Sequence, residues 1–305
     1  MAIQESQLRN VAQDLMILAS TYLPDEVVQA LEKARDSETQ PVARAQLDAI
    51  LENVKIAKAD TIGLCQDSGL PLFFMKLGTK VTLEGDPTRA LWDAVENATR
   101  NIPLRQNCIH PLTFENSGTN TGWMIPSIHW DILAGEDYLE ILCAPKGFGS
   151  EIRTTTAWVL SSEDTVAAAK RAVLDVVEDT MGEPCPPVII GVGIGGSYDL
   201  AALNAKRSLF RTPFGTDHPD PQVAELEREI KDAVNATKLG PMGFGGDTYA
   251  MAVNIEIAGS HTSIVPITVT YQCWADRYAS ARIYQDGRVV FLSHKDGAEY
   301  CGERG

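Results

Sequence analysis

The sequence has no excess of positive charge. Lysine and arginine number 26 against 41 aspartate and glutamate residues, which gives a formal net charge of −15. Nucleic acids and anionic membrane surfaces bind basic faces, so this balance argues against both as partners. A few local arginines can still reverse the field inside a cleft, and an anionic small substrate therefore remains open.

Targeting and membrane segments are also missing from the sequence. The N-terminus mixes charged residues such as Glu5, Arg9 and Asp14 with apolar residues at helical spacing. It lacks the continuous apolar core of a signal peptide. No stretch approaches the length of a membrane span. We therefore expect a cytoplasmic protein.

Closely paired cysteines are absent. The chain has six cysteines and no C-x-x-C motif, so zinc-ribbon and ferredoxin spacings are excluded. Scattered cysteines in a chain of this size without a secretion signal do not indicate a disulfide framework. Any metal site would have to be assembled from distant loops, which spacing alone cannot establish. The six are Cys65, Cys108, Cys143, Cys185, Cys273 and Cys301.

Internal repeats, low-complexity tracts and linkers are absent too, so we expect a single domain over residues 1–305. Its N-terminal segment, about 1–60, has the periodicity of helices. Farther along, strand-like runs alternate with helical ones, which predicts a mixed α/β (α+β) fold with short mixed sheets surrounded by helices. Helices are predicted at 3–19, 24–36, 42–58, 87–100, 164–181, 199–210 and 221–238. Strands are predicted at 72–77, 129–133, 138–144, 187–192, 251–257 and 264–270.

One stretch places a thiol, an amide, a carboxylate and a hydroxyl in consecutive positions, Cys65-Gln66-Asp67-Ser68. Neighbouring glycines and a proline favour turns, so the stretch is predicted to be a loop that leads into a strand. Loops on a rigid scaffold often carry ligands and catalytic groups. A tight turn around one buried free cysteine is the other interpretation that these residues allow.

A glycine-rich run at 188–196 formally matches G-x-G-x-x-G after a strand. A dinucleotide site would also require a second strand ending in an acidic residue about 20 positions on, and no such strand follows. The hypothesis of NAD binding therefore depends on this glycine motif alone. The turn could instead bind a carboxylate at a helix N-terminus. A second glycine cluster at 243–247 could be only a flexible turn.

Several motifs in consistent order resemble one family. They are the Cys65 stretch, Leu104-Arg105-Gln106-Asn107, Asn116-x-x-x-Asn120-Thr121-Gly122, Lys146-Gly147-x-Gly149-Ser150-Glu151, Cys185-Pro186-Pro187, and His261 followed by Cys273-Trp274-Ala275-Asp276-Arg277. Together they resemble the alpha subunit, or N-terminal domain, of class I iron–sulfur fumarate hydratases and L-tartrate dehydratases. The resemblance covers nearly the whole chain.

The resemblance implies a [4Fe–4S] cluster held by Cys65, Cys185 and Cys273. Its fourth iron would have no protein ligand and would be suited to act as a Lewis acid toward the substrate hydroxyl and a carboxylate oxygen. The resemblance gives the other three cysteines no role.

The resemblance also assigns roles to five further residues. Asp67 and His261 are expected to form the acid/base pair that protonates the departing hydroxyl. Gln66 and Arg105 are expected to bind substrate carboxylates, Arg105 through its two-pronged guanidinium. Gly149 would offer a backbone N–H to the substrate.

The function implied is reversible hydration of fumarate to (S)-malate, a step of the tricarboxylic acid cycle. L(+)-tartrate dehydration to oxaloacetate is the nearest alternative, and mesaconate hydration is another. A non-catalytic regulatory subunit and an NAD-binding protein are less favoured. We expect a beta subunit to complete the site, in an αβ heterodimer or an (αβ)2 assembly.

Overall fold

The structure, a computed structural model, describes residues 2–160 and 162–302. These residues form nine α-helices and eleven strands. In chain order the helices α1 to α9 are Glu5–Thr21, Asp25–Ser37, Pro41–Asp60, Pro87–Asn101, Phe148–Glu151, Thr165–Thr180, Tyr198–Ser208, Pro221–Ala236 and Gly297–Gly302. The strands β1 to β11 are Ile3–Gln4, Leu70–Gly78, Leu83–Glu84, Ser127–Leu133, Tyr138–Lys146, Thr155–Leu160, Val188–Ile194, Ala250–Ile257, Ile264–Gln272, Ala279–Tyr284 and Val289–Phe291.

The mixed α/β class predicted from the sequence is confirmed. The first three helices lie where periodicity predicted them, with ends that differ by one or two residues. Strand β6 was not predicted. It forms one edge of its sheet and is mostly exposed or half-exposed, although it contains the short apolar run Ala157-Trp158-Val159-Leu160. In the described part of the chain, no helix has both the length and the apolar character needed to cross a membrane.

The chain divides into two compact units, each with its own core. The single domain expected from the sequence stays a prediction, because the two units are described separately. Unit 1 comprises the described residues of Met1–Asp25, Asn53–Gly147 and Arg277–Gly305. Unit 2 comprises the described residues of Glu26–Glu52 and Phe148–Asp276.

Unit 1 is built on a five-stranded sheet in the order β11-β10-β5-β2-β4. Strands β2 and β4 are parallel, and the other neighbours are antiparallel. Strand β2 is buried along most of its length because its sequence is apolar on both faces, with Phe73 and Met75 fully buried. Helix α1 packs on α4 and on strands β5 and β10. The loops at the start of β2 and the end of β5 are therefore held on a rigid layer.

Unit 2 is built on a four-stranded sheet in the order β6-β9-β7-β8. Only β7 and β8 are parallel. Helix α7 packs on β7, and α8 packs on β8 and on α6. The apolar residues of β7, β8 and β9 join the inner faces of α6 and α8 in one core.

The glycines of β7 allow helix α7 to approach the strand closely. A Cβ atom added at Gly193 would lie 2.0 Å from the Ala201 carbonyl oxygen, and one at Gly191 would lie 2.2 Å from that of Ala205. At the end of the strand, the Gly195 and Gly196 N–H groups donate to the Pro266 and Gly259 carbonyls, at 2.9 and 3.0 Å. These contacts account for the glycine motif through close packing and backbone pairing.

Candidate active site

The loop between α3 and β2 is anchored immediately before its first functional residue. The buried residue Leu64 donates its N–H to the Ser20 carbonyl at 2.9 Å, and its own carbonyl accepts from Asn53 Nδ2 at 2.9 Å. Cys65 follows this anchor and is half-exposed. Gln66 is exposed, and its Oε1 lies 3.7 Å from the Cys65 Sγ. The hydrogen bonds of the Leu64 backbone thus fix the position of the Cys65 side chain.

Gly69 fixes the other end of this loop. Its φ of +75° lies in the left-handed region that favours glycine. A Cβ atom there would lie 2.7 Å from the Pro145 carbonyl group and 2.8 Å from the Lys146 carbonyl carbon. Glycine therefore lets the loop lie directly against the end of β5.

Asp67 is oriented by hydrogen bonds from three parts of unit 1. Its Oδ1 accepts from the Gly69 N–H and from Asn107 Nδ2, both at 2.9 Å, and its backbone carbonyl accepts from Arg277 Nη1 at 2.6 Å. A Cβ atom added at Gly147 would lie 3.3 Å from Asp67 Oδ2 and 3.1 Å from Arg277 Nη2. A carboxylate and a buried guanidinium therefore both lie against Gly147.

Asn120 organises the segment that carries Arg105. Its side chain is fully buried and its φ is +58°, a conformation that asparagine tolerates better than most residues. Its Oδ1 accepts from the Asn107 N–H at 2.6 Å, and its Nδ2 donates to the Arg105 carbonyl at 3.2 Å. The Arg105 side chain remains exposed. One buried amide thus positions both Arg105 and the Asn107 side chain that contacts Asp67.

Two of the predicted cluster ligands come together in unit 2. The Trp274 N–H donates to the Cys185 carbonyl at 3.1 Å, so the turn at Cys185 lies next to the segment that begins at Cys273. Both cysteines are half-exposed. Cys185 has a φ of +58°, which is uncommon for a residue with a side chain and is a feature of functional sites.

The exposure of Cys65, Cys185 and Cys273 is compatible with their predicted role as cluster ligands. Cluster ligation requires thiolates, which form most readily at partly exposed positions. Cys65, Cys185, Cys273 and Cys301 are half-exposed, whereas burial raises the pKa of the Cys108 and Cys143 thiols. Cys65 belongs to unit 1 and the other two to unit 2. Within residues 2–160 and 162–302, no three His, Cys, Asp or Glu side chains are grouped to hold a metal ion. The three-cysteine set stays a prediction.

His261 and Gly149 belong to unit 2. His261 is exposed in the loop between β8 and β9, and its Nδ1 accepts from the Ser263 N–H at 3.3 Å. A neutral imidazole ring that accepts at Nδ1 carries its proton on Nε2. Asp67 belongs to unit 1, so the pairing of His261 with Asp67 stays a prediction. Gly149 is exposed in the four-residue helix α5.

Sequence reasoning gave no role to Arg277, Asn107 or Asn120. All three lie within the motifs that carry the family resemblance, and this position was their only signal. Their roles depend on contacts between residues far apart in sequence: Arg277 is 210 positions from Asp67, and Asn107 is 40 positions from it. Periodicity and local turn chemistry give no information about such contacts.

Comparisons with known proteins define the class of the chain. Residues 9–282 match the model of the fumarate hydratase (Fumerase) family. The chain therefore belongs to the fumarate hydratase family and is a hydro-lyase, which confirms the resemblance found in the sequence.

Similar proteins align with almost the whole chain. A protein of Methanocaldococcus jannaschii named "Putative L(+)-tartrate dehydratase subunit alpha" is 39% identical over 286 residues, which cover 93% of this chain and 100% of the relative. The L(+)-tartrate dehydratase subunit alpha of Escherichia coli is 32% identical over 293 residues, which cover 96% of both chains. The protein of the same name from Shigella sonnei gives the same identity and coverage.

Proposed function

We propose that this chain is the alpha subunit of a [4Fe–4S] hydro-lyase that interconverts fumarate and (S)-malate. The observation that carries the proposal is the arrangement around Asp67. Its carboxylate is held by Asn107 and the Gly69 N–H, two positions after a half-exposed cysteine and beside a buried arginine. A fixed carboxylate is what proton transfer to a departing hydroxyl requires.

The resident cofactor would be held by Cys65, Cys185 and Cys273. When bound, it supplies a Lewis-acidic iron that helps a poor leaving group depart. The half-exposure of all three thiols supports this assignment, as does the contact between the Cys185 turn and the segment at Cys273.

The chain's own residues would bind the substrate and move its protons. Arg105 is exposed and anchored through its backbone, so its guanidinium can grip a carboxylate with two parallel hydrogen bonds. Gln66 and the Gly149 N–H add polar contacts to the same dianion. Asp67 exchanges the proton of the departing hydroxyl, and His261 assists through Nε2.

A beta subunit is part of the proposal because the named relatives are alpha subunits. The name alpha subunit implies a partner subunit. We propose an αβ heterodimer or an (αβ)2 assembly, located in the cytoplasm and working in the tricarboxylic acid cycle.

L(+)-tartrate dehydration to oxaloacetate is the second candidate, and the names of the relatives favour it. (S)-Malate and L(+)-tartrate are both four-carbon dicarboxylates that lose a hydroxyl from a carbon next to a carboxylate. The same Asp67 and Arg105 roles serve either one. The description of the family model favours fumarate.

An assay of the two-subunit complex tests the proposal. The chain is co-expressed with its companion subunit, purified without oxygen and assayed with fumarate, (S)-malate, L(+)-tartrate and mesaconate. We expect the highest kcat/KM for fumarate and (S)-malate. A higher value for tartrate would establish the second candidate. A cluster-loaded complex that turns over none of the four would contradict the proposal.

A further inference from the structure

The carboxylate of Asp247 holds the loop that follows α8 through several hydrogen bonds. Asp247 Oδ2 accepts from the Thr39 N–H at 2.8 Å and from the Thr39 hydroxyl at 2.6 Å, while Oδ1 accepts from Lys238 Nζ at 2.9 Å. The Asp247 N–H donates to Glu38 Oε2 at 2.8 Å, and Glu38 is buried. We call this set of contacts among Thr39, Lys238, Glu38 and Asp247 the Asp247 clasp.

The clasp stabilises a loop whose backbone conformation is not favoured by the local preferences of its residues. Residues 238–246 include Lys238 and Met242 at positive φ and four glycines at positive φ. Such a glycine-rich loop has high conformational entropy when it is not held. Within the loop, the Gly245 N–H donates to the Leu239 carbonyl and the Gly246 N–H to the Lys238 carbonyl, at 2.8 and 3.1 Å. Asp247 joins these turns to the α2–α3 connection.

The closed loop supports the segment that carries Cys185. The Met242 N–H donates to the Pro186 carbonyl at 2.9 Å, next to the thiol. A Cβ atom added at Gly182 would lie 2.4 Å from the Met242 carbonyl oxygen, so the two backbones are in direct contact three residues before Cys185. Beyond the loop, Tyr249 donates its hydroxyl to the Met181 carbonyl at 2.8 Å.

We infer that Asp247 is a positioning residue for Cys185: the clasp shapes the loop at 238–246, and the loop holds the Cys185 turn in its uncommon conformation. The loop that the clasp shapes reaches the Cys185 turn through the backbone hydrogen bond from Met242 to Pro186. The inference deepens the proposed function and depends on it wherever Cys185 is treated as a cluster ligand. The glycine cluster that sequence reasoning took for a flexible turn thereby acquires a role.

Two measurements on Asp247→Ala test the inference. The first is amide hydrogen exchange in the cluster-free chain, at the N–H of Met242 and at that of Cys185, which donates to the Gly182 carbonyl at 3.1 Å. The second is the rate at which an iron chelator removes iron from the anaerobically loaded chain. We expect both rates to rise at least about tenfold, because Asp247→Ala removes three hydrogen bonds to a charged group. Asp247→Asn keeps an acceptor oxygen and should restore part of the effect.

Asp217→Asn is the matched control, since it removes an exposed carboxylate that pairs with Arg228 at 2.9 Å. It should leave both rates unchanged. Amides of the β9 core, such as Val269, should exchange at the wild-type rate in Asp247→Ala, because a positioning role does not loosen the whole unit. If Asp247→Ala fails to fold, Thr39→Val removes only the hydroxyl hydrogen bond and should raise both rates about threefold.

Wild-type exchange at Met242 and Cys185 in Asp247→Ala, together with wild-type iron retention, would overturn the inference. A wild-type chain that binds no iron would contradict the proposed function instead. In that case, faster exchange at Cys185 in Asp247→Ala would still support the positioning role.

Discussion

The two units place their functional groups by different means. In unit 1, side chains contribute directly to the orientation of Asp67: Asn107 Nδ2 donates to its carboxylate beside the Gly69 N–H, and Arg277 donates to its backbone carbonyl. In unit 2, backbone groups orient Cys185, through hydrogen bonds from the N–H groups of Trp274 and Met242 to the carbonyls of Cys185 and Pro186. A carboxylate proposed to move protons must be held in a fixed orientation, and a thiol proposed to bind a metal needs a rigid position.

This contrast predicts which substitutions affect which property. Changes at the thiols should remove the cofactor, changes at the Asp67 carboxylate should remove turnover with the cofactor retained, and changes at close-packed glycines should reduce stability. The predictions below run from the largest expected effect to the smallest.

Cys185→Ser should reduce bound iron to background after anaerobic reconstitution. A serine hydroxyl is far harder to deprotonate than a thiol and is a poorer ligand for iron. Iron and acid-labile sulfide analysis measures the result. Cys301→Ser changes another half-exposed cysteine and should retain the wild-type content. Wild-type iron in Cys185→Ser would reassign this ligand.

Asp67→Asn should lower kcat of the two-subunit complex by roughly 10²- to 10⁴-fold, the usual contribution of a general acid/base. Asparagine preserves the shape and the Oδ1 acceptor but cannot exchange the proton. Steady-state kinetics and iron content are measured together, and the iron should stay at the wild-type level. The exposed turn residue Asp137 provides the control variant Asp137→Asn. Near-normal turnover in Asp67→Asn would remove its catalytic role.

Gly193→Ala should destabilise unit 2 by roughly 1–3 kcal/mol, because the new methyl group would overlap the Ala201 carbonyl. Denaturant unfolding measures the change. Gly259→Ala is a matched control, since an added Cβ there has no neighbour within 4 Å. Equal stability of the two variants would show that the β7 glycines do not serve close packing with α7.

Asp14→Asn should raise stability at pH 8 by about 1 kcal/mol and have little effect at pH 4. Burial raises the pKa of Asp14 from 3.8 to about 6 in the folded chain. Protonation therefore favours folding below pH 4, and this contribution is lost as the pH rises through about 6. Unfolding curves of both proteins at the two pH values measure the difference. A stability difference that does not change with pH would contradict a buried, titrating carboxyl.

Local patterns predicted much of the fold. The first three helices follow from apolar periodicity, and β2 follows from a continuous apolar run bounded by turn residues. Strand β6 was missed although it contains four consecutive apolar residues, because periodicity does not distinguish strand from helix in so short a run. The glycine motif of β7 was misleading for a physical reason: close helix packing and phosphate binding both require glycine.

The candidate site also has some features that local sequence patterns predicted and others that only the folded chain reveals. The Cys65 loop was placed correctly from its turn residues, whereas its roles came from the resemblance, which the family match confirms at the level of the family. Asn120 and Arg277 act through contacts that close only in the folded chain. The joint use of Cys65 with Cys185 and Cys273 remains a prediction.

Anaerobic iron and sulfide analysis of the wild-type chain, co-purified with its companion subunit, tests the central claim most directly. A [4Fe–4S] cluster predicts about four iron and about four sulfide per chain. A folded, active complex without iron would contradict the assignment of Cys65, Cys185 and Cys273 as cluster ligands.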